Sequence, residues 1–160
     1  MHVRLPPFQA LLDAYREDVH RFLVASVGPV DADDCFQETF ISALRAYPRL
    51  RDDSNLRGWL LTIAHRKAID AHRSRKRRAV PVDRVPEPAA HDGAAPPSEG
   101  EPELWEAVRE LPPKQRTAIV HRYVNDLPYA EIAAIVGCSE EAARQNVRAG
   151  LGNLRGAWAR

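Results

Sequence analysis

Arg73, Arg75, Lys76, Arg77 and Arg78 form a run of cations broken only by Ser74, and Arg66 and Lys67 stand about two helical turns before it. Guanidinium and ammonium groups at this density neutralise phosphates and release their counterions, which gives salt-sensitive affinity without base selectivity. A second group lies about seventy residues further on, where Ser139 is followed by Arg144, Gln145 and Arg148, with Asn146 beside them. This group has different chemistry. Arg grips guanine through two acceptors, and Gln or Asn does the same for adenine, so these side chains on one helix could read base edges. Each group also has a plainer reading: a solvated helix end for the first, and a helix that only packs against its neighbours for the second.

The chain of 160 residues carries a formal net charge of +1, which hides how the charge is distributed. Residues 1–56 sum to −3, 57–79 to +7, 80–103 to −5 and 104–160 to +2. A basic segment between acidic ones suggests a local surface for a polyanion; a uniformly cationic chain would suggest indiscriminate binding. Segment 80–103 holds six prolines and six acidic residues with little to bury. It reads as a flexible, extended linker. The expected organisation is therefore a module over 1–79, a linker over 80–103 and a second module over 104–160.

The elements that must position these groups all read as helices, so the expected fold is all-α. In FQALLDAYREDVHRFLVASVG, Leu12, Tyr15, Val19, Phe22 and Leu23 recur at helical spacing, and Gly28-Pro29 stops the helix. In the next segment Asp31 reads as an N-cap, Asp33 and Asp34 as first-turn carboxylates, and Phe36, Phe40, Leu44 and Tyr47 as the apolar stripe. A third helix offers Trp59, Leu60, Ile63, Ala64 and Ala71 for packing and ends in the cations. In the second module Leu104, Val108 and Leu111 precede the Pro112-Pro113 break, and Ala118, Val120, Tyr123 and Val124 carry the following helix. Pro128 suits a first helical position, Ile132, Ala133 and Val136 point inward, Gly137 fits a turn and Ser139 a cap. That succession is a helix-turn-helix, whose second helix enters the major groove in DNA-binding proteins.

Several classes are set aside. Cys35 and Cys138 are far apart and read as small buried hydrophobes, and His65 and His72 lack a third ligand, so no metal and no cofactor are expected. There is no nucleophile beside a recognisable base and no glycine-rich phosphate loop, so the chain is not expected to be an enzyme; a nucleic-acid-processing enzyme would need a carboxylate set that is not found. No apolar run has membrane-spanning length and the N-terminus lacks a signal-peptide pattern, so no membrane insertion and a cytoplasmic location are expected.

Taken together, DADDCFQETFISALRAY, LRGWLLTIAHRKAIDAHRSRKRR, the acidic linker and LPPKQRTAIVHRYVNDLPYAEIAAIVGCS resemble the extracytoplasmic-function group of bacterial RNA polymerase sigma factors. The resemblance spans nearly the whole chain, with three segments in the right order. It implies a first module that binds the polymerase clamp and opens the minus-10 element, and a second that reads the minus-35 element. By position it assigns Asp33, Asp34, Gln37 and Glu38 to polymerase docking. Arg66, Lys67, Arg73, Arg75, Lys76 and Arg77 fall where the family holds the minus-10 strand, and capture of an unstacked base there would offset part of the cost of opening the duplex. Ser139, Arg144, Gln145 and Arg148 fall to the minus-35 duplex. The implied partners are core RNA polymerase and promoter DNA, together with an anti-sigma factor that no residue of this sequence identifies. Arg66 stands where the family commonly has Asn, and Asn146, Ala149, Leu151 and Asn153 occupy commonly basic positions, so an unusual promoter preference is expected. The alternative is an autonomous helix-turn-helix regulator, which should dimerise on a palindromic site without polymerase.

Overall fold

The first chain reversal is set by two residues. Gly28 takes φ 87°, in the region that favours glycine, and Pro29 supplies a first helical residue whose missing N–H would have had no helical partner anyway. The reversal joins α1 (Phe8–Val27) to α2 (Pro29–Ala46) in a computed structural model that describes residues 5–51, 55–78 and 102–158. The expected linker lies almost wholly outside the described residues. Because Pro29 opens α2, Asp31 is not its N-cap but a first-turn residue, and Asp33 and Asp34 fall beyond that turn. The carboxylate of Asp31 still faces the positive end of the helix dipole.

The buried face of α2 is Ala32, Cys35, Thr39, Phe40 and Ala43, with Phe36 packed beside it. Leu44, expected in the apolar stripe, is instead 55% exposed. It sits about 100° round the helix from Ala43, past the edge of the contact with neighbouring helices. Tyr47 belongs to a short 3-10 turn, Tyr47–Arg49, where its ring meets Phe8 at 5.5 Å and Trp59 at 6.2 Å and its hydroxyl donates to the Pro6 carbonyl. The long helix α3 (Leu56–Arg78) then lays Leu60, Leu61, Ala64 and Ala68 into the core, and half-buried Trp59 and Ile63 pack against it.

The remaining helices are α4 (Pro102–Glu110), α5 (Pro113–Tyr123), α6 (Tyr129–Val136) and α7 (Glu140–Trp158). At the Pro112-Pro113 break the guanidinium of Arg116 donates to the Arg109 and Leu111 carbonyls at 2.9 and 3.1 Å, satisfying acceptors at the end of α4. Tyr123, expected to point inward, is 61% exposed; it lies about 200° round α5 from fully buried His121. Pro128 is the residue before α6 and not its first, and its carbonyl accepts from Glu131 and Ile132 N–H. Gly137 then takes the left-handed conformation (φ 80°, ψ 41°), while Gly137 and Cys138 N–H both donate to Ala133. No strand occurs among the described residues.

The first three helices and the last four share one continuous apolar core, although the sequence reading kept the two modules separate. Phe22 of α1 stacks on His121 of α5 with ring centres 4.3 Å apart, the Thr117 hydroxyl lies 3.3 Å from His65 Nδ1, and Arg57 donates to the Asn125 carbonyl at 2.8 Å.

Two glycines of α7 provide a test of this packing. A Cβ on buried Gly150 would run into the side chain of Ile119, whereas one on Gly152 would meet nothing within 4 Å. In thermal unfolding, Gly152→Ala should stabilise by about 0.5–1 kcal/mol through helix propensity, and Gly150→Ala should destabilise by about 1 kcal/mol because overpacking outweighs the same gain.

Candidate polymerase and nucleic-acid interfaces

On α2, Asp33, Asp34, Gln37 and Glu38, the residues expected to dock on polymerase, are all exposed. Asp33 lies 3.7 Å from His20 Nε2. Ile41 and Leu44 are half exposed and follow Asp34, Gln37 and Glu38 at spacings of three and four, so an acidic stripe continues into an apolar one on the same face. The sequence reading missed Ile41 and assigned Leu44 to the core. An apolar residue at one edge of a helical stripe has the same local pattern whether or not another helix covers it.

The cations of α3 do not form one patch. Arg66, Arg73 and Arg77 are exposed at positions i, i+7 and i+11, which a helix brings into one stripe about 16 Å long. Lys67, Arg75 and Arg78 turn toward α2, where they line a groove of about 630 Å³ with Asp31, Asp34, Glu38 and Asp70. Arg75 approaches Asp31 at 3.7 Å within it. Lys76 and Arg73 also border a smaller cleft of about 330 Å³ against Lys114 and Arg116 of α5, beside His65 and His72. Acidic residues of α2 and cations of α3 therefore share an edge along the α2–α3 groove.

Electrostatics within the fold keep this region chemically quiet. Burial, with Glu38, Asp31, Asp34 and Asp70 nearby, pushes the Cys35 thiol up to about 11, and it donates weakly to the Lys67 carbonyl. A thiol so raised is a packing group and not a nucleophile. Burial, reinforced by Arg116 and Arg66, lowers His65 to about 4, so it is neutral at pH 7. No group of three potential metal ligands occurs among the described residues.

In the helix-turn-helix, Ser139 accepts from the Ala142 N–H at 3.0 Å and so caps α7. Its hydroxyl proton remains available to donate. Arg144 bonds Glu140 at 2.8 Å and lies over the Tyr129 ring at 5.3 Å, with Arg122 at 4.5 Å from the same ring. Held between a carboxylate and an aromatic face, Arg144 loses less freedom on meeting a ligand than a free arginine would. Gln145 and Arg148 are exposed beside it, while Asn146 is half buried. The structure thus brings Arg144, Gln145 and Arg148 together on α7 and leaves the cations of α3 on a separate helix.

An all-helical chain with an exposed acidic helix face, a cationic helix end and a helix-turn-helix fits the class of nucleic-acid-binding transcription proteins. More closely, residues 11–78 match Sigma-70 region 2 and residues 102–154 match Sigma-70 region 4. Among curated relatives, RNA polymerase sigma factor CarQ of Myxococcus xanthus is 31% identical over 92% of this chain and 87% of its own. ECF RNA polymerase sigma factor SigD of Mycobacterium tuberculosis is 34% identical over 84% of this chain and 68% of its own. The sigma factor RpoE of Bartonella quintana, solved in complex with the anti-sigma factor NepR, has the same fold, with a TM-score of 0.72 and 24% identity over 92% of this chain and 94% of that one. The chain belongs to the sigma-70 family, in its extracytoplasmic-function group, and is a sigma factor whose partners are core RNA polymerase and promoter DNA. No helix among the described residues is long and apolar enough to cross a membrane.

Ser139→Ala should remove the α7 cap and destabilise the chain by about 1 kcal/mol, read as a lower urea midpoint with an unchanged slope.

Proposed function

We propose that residues 1–79 dock on core polymerase and hold the opened minus-10 strand, that 80–103 tether the two halves, and that 104–160 read the minus-35 duplex. Docking falls to Asp33, Asp34, Gln37 and Glu38, extended by Ile41 and Leu44. The strand is held by Arg66, Lys67, Arg73, Arg75, Lys76 and Arg77, and the duplex is read by Arg144, Gln145 and Arg148, with Ser139 holding their helix. The observation that carries this reading is the separation of an exposed acidic and apolar stripe on α2 from a base-reading set on α7, each free to meet a different partner. The role is one of binding and remodelling, exercised in the cytoplasm where polymerase acts. An anti-sigma factor that covers either surface fits the same division, as the solved Bartonella relative was captured with one.

The decisive experiment is initiation by purified core polymerase on a promoter library with and without this chain. Selective initiation is expected; recognition of a symmetric duplex site by the chain alone, with no assembly on polymerase, would overturn the reading. Within that assay, Asp34→Lys with Glu38→Lys should abolish assembly on polymerase while the circular dichroism spectrum and melting point stay unchanged, because exposed charges add little to stability yet govern docking. Arg148→Ala should lower discrimination at one minus-35 base pair by about 1–3 kcal/mol if its contact is bidentate. Uniform weakening on all sequences would reassign Arg148 to a phosphate.

A further inference from the structure

Around the cleft between α3 and α5, cations gather without acids. Arg73 and Lys76 of α3 and Lys114 and Arg116 of α5 border it, no carboxylate does, and its volume of about 330 Å³ falls in the range of small-molecule sites. None of the four forms an ion pair among the described residues. The α2–α3 groove differs, since its cations face Asp31, Asp34, Glu38 and Asp70. Unopposed charge that converges from two helices on one concave site concentrates a field suited to a small anion.

Arg116 makes the demand for an anion internal to the fold. It is 5% exposed, its Nη1 donates to two carbonyls, and its Nε is buried without a partner. Burial lowers it to about 10, against the pull of Glu110, so it remains a cation at neutral pH. A buried guanidinium satisfied only by neutral dipoles keeps an uncompensated charge. Its field adds to burial in lowering His65 and His72, so both rings are neutral at pH 7. His65, Ile69, His72 and Lys76 fall at positions i, i+4, i+7 and i+11, one face of α3, so uncharged rings and Ile69 lead along the helix into the cations. Pro113 and Val136 complete the apolar wall.

We propose that this cleft is a binding site for a nucleoside polyphosphate, with its phosphates on Arg73, Lys76, Lys114 and Arg116 and its base against Ile69, Pro113 and Val136. A bare phosphate chain would leave the apolar wall unused, and a neutral aromatic would leave the cations unpaired. A nucleic-acid strand is the competing occupant, because Arg73 and Lys76 also belong to the strand-holding set proposed above. A strand spaces its charges one phosphate at a time along an extended backbone, which matches the open stripe of Arg66, Arg73 and Arg77. A terminal polyphosphate concentrates its charge at one point, as cations converging from two helices require.

Calorimetric titration of the full chain with ATP, without divalent cations, tests the site, and methyl NMR locates it. ATP should bind once per chain, more weakly as salt rises, and shift the Ile69 and Val136 methyl resonances. Tripolyphosphate, which has the charge and no base, should bind about tenfold more weakly and leave those methyls unmoved. Lys114→Glu should weaken ATP about tenfold. Its circular dichroism should stay unchanged, because Lys114 is exposed in the first turn of α5, where a carboxylate suits the helix dipole. Arg45→Glu makes the same charge change at an exposed position of α2 outside the cleft, and should leave ATP affinity unaltered. Absence of saturable ATP binding, equal losses in the two variants, or methyl shifts that spare Ile69 and Val136 would overturn the site. Tripolyphosphate binding as tightly as ATP would overturn the nucleoside. If Lys114→Glu weakened a short single-stranded oligonucleotide as much as ATP, the cleft would belong to the strand and the proposal would fail. These measurements use the free chain, so their outcome stands apart from whether it assembles on polymerase.

Discussion

One helix has to satisfy three environments along its length. α3 buries Leu60, Leu61, Ala64 and Ala68 against α1 and α2, offers Arg57 and His65 to the second module, and ends in a cluster of cations held toward solvent. These demands are met by rotation about a single axis, because positions three, four and seven apart return to one face while their neighbours turn away. The apolar face anchors the helix. Its far end, beyond the core, is then free to carry charge density that would be costly near the interior. The four basic residues of the last turn also lie at the negative end of the helix dipole, so the charges that suit a nucleic-acid strand stabilise the element that presents them.

Features governed by local chemistry were legible in the sequence, and those governed by distant contacts were not. Gly28-Pro29, Pro112-Pro113 and Gly137 mark chain reversals through backbone preferences that need no tertiary information, and the structure turns at each of them. The cap of Ser139 is equally local. Asp31 was misread because a carboxylate suits both the cap and the first turn, and Pro29 settled which it would be. Leu44 and Tyr123 were misread because helical periodicity tells which residues share a face and not which faces are covered. Arg116 and His121 are the hardest cases. A cation and an imidazole inside a helix normally signal a wet surface, yet both are buried here, Arg116 by two carbonyls freed at a proline break and His121 by a phenylalanine about one hundred residues earlier in the chain.

The same limit applies to the candidate interfaces. The acidic residues of α2 and the polar residues of α7 were visible as types in a pattern, and the structure keeps them exposed. The sequence could not reveal that the α3 cations divide among an open stripe, the α2–α3 groove and the cleft facing α5. Counting charge along a chain treats neighbours as one patch, whereas consecutive side chains on a helix point about 100° apart.

Under the function proposed above, that division would couple strand holding to polymerase docking. Lys67, Arg75 and Arg78 share their groove with Asp31, Asp34 and Glu38, so each sign of charge partly screens the other in the free protein. A partner that occupies the acids removes that screening and leaves the cations with a stronger field toward phosphate. Binding at one edge of the groove therefore raises affinity at the other, and linkage requires the effect to be reciprocal. The exposed stripe of Arg66, Arg73 and Arg77 lies outside the groove and gains less. With the residue roles proposed above, a nucleic-acid strand would then be held weakly along the stripe before docking and more firmly across the groove after it.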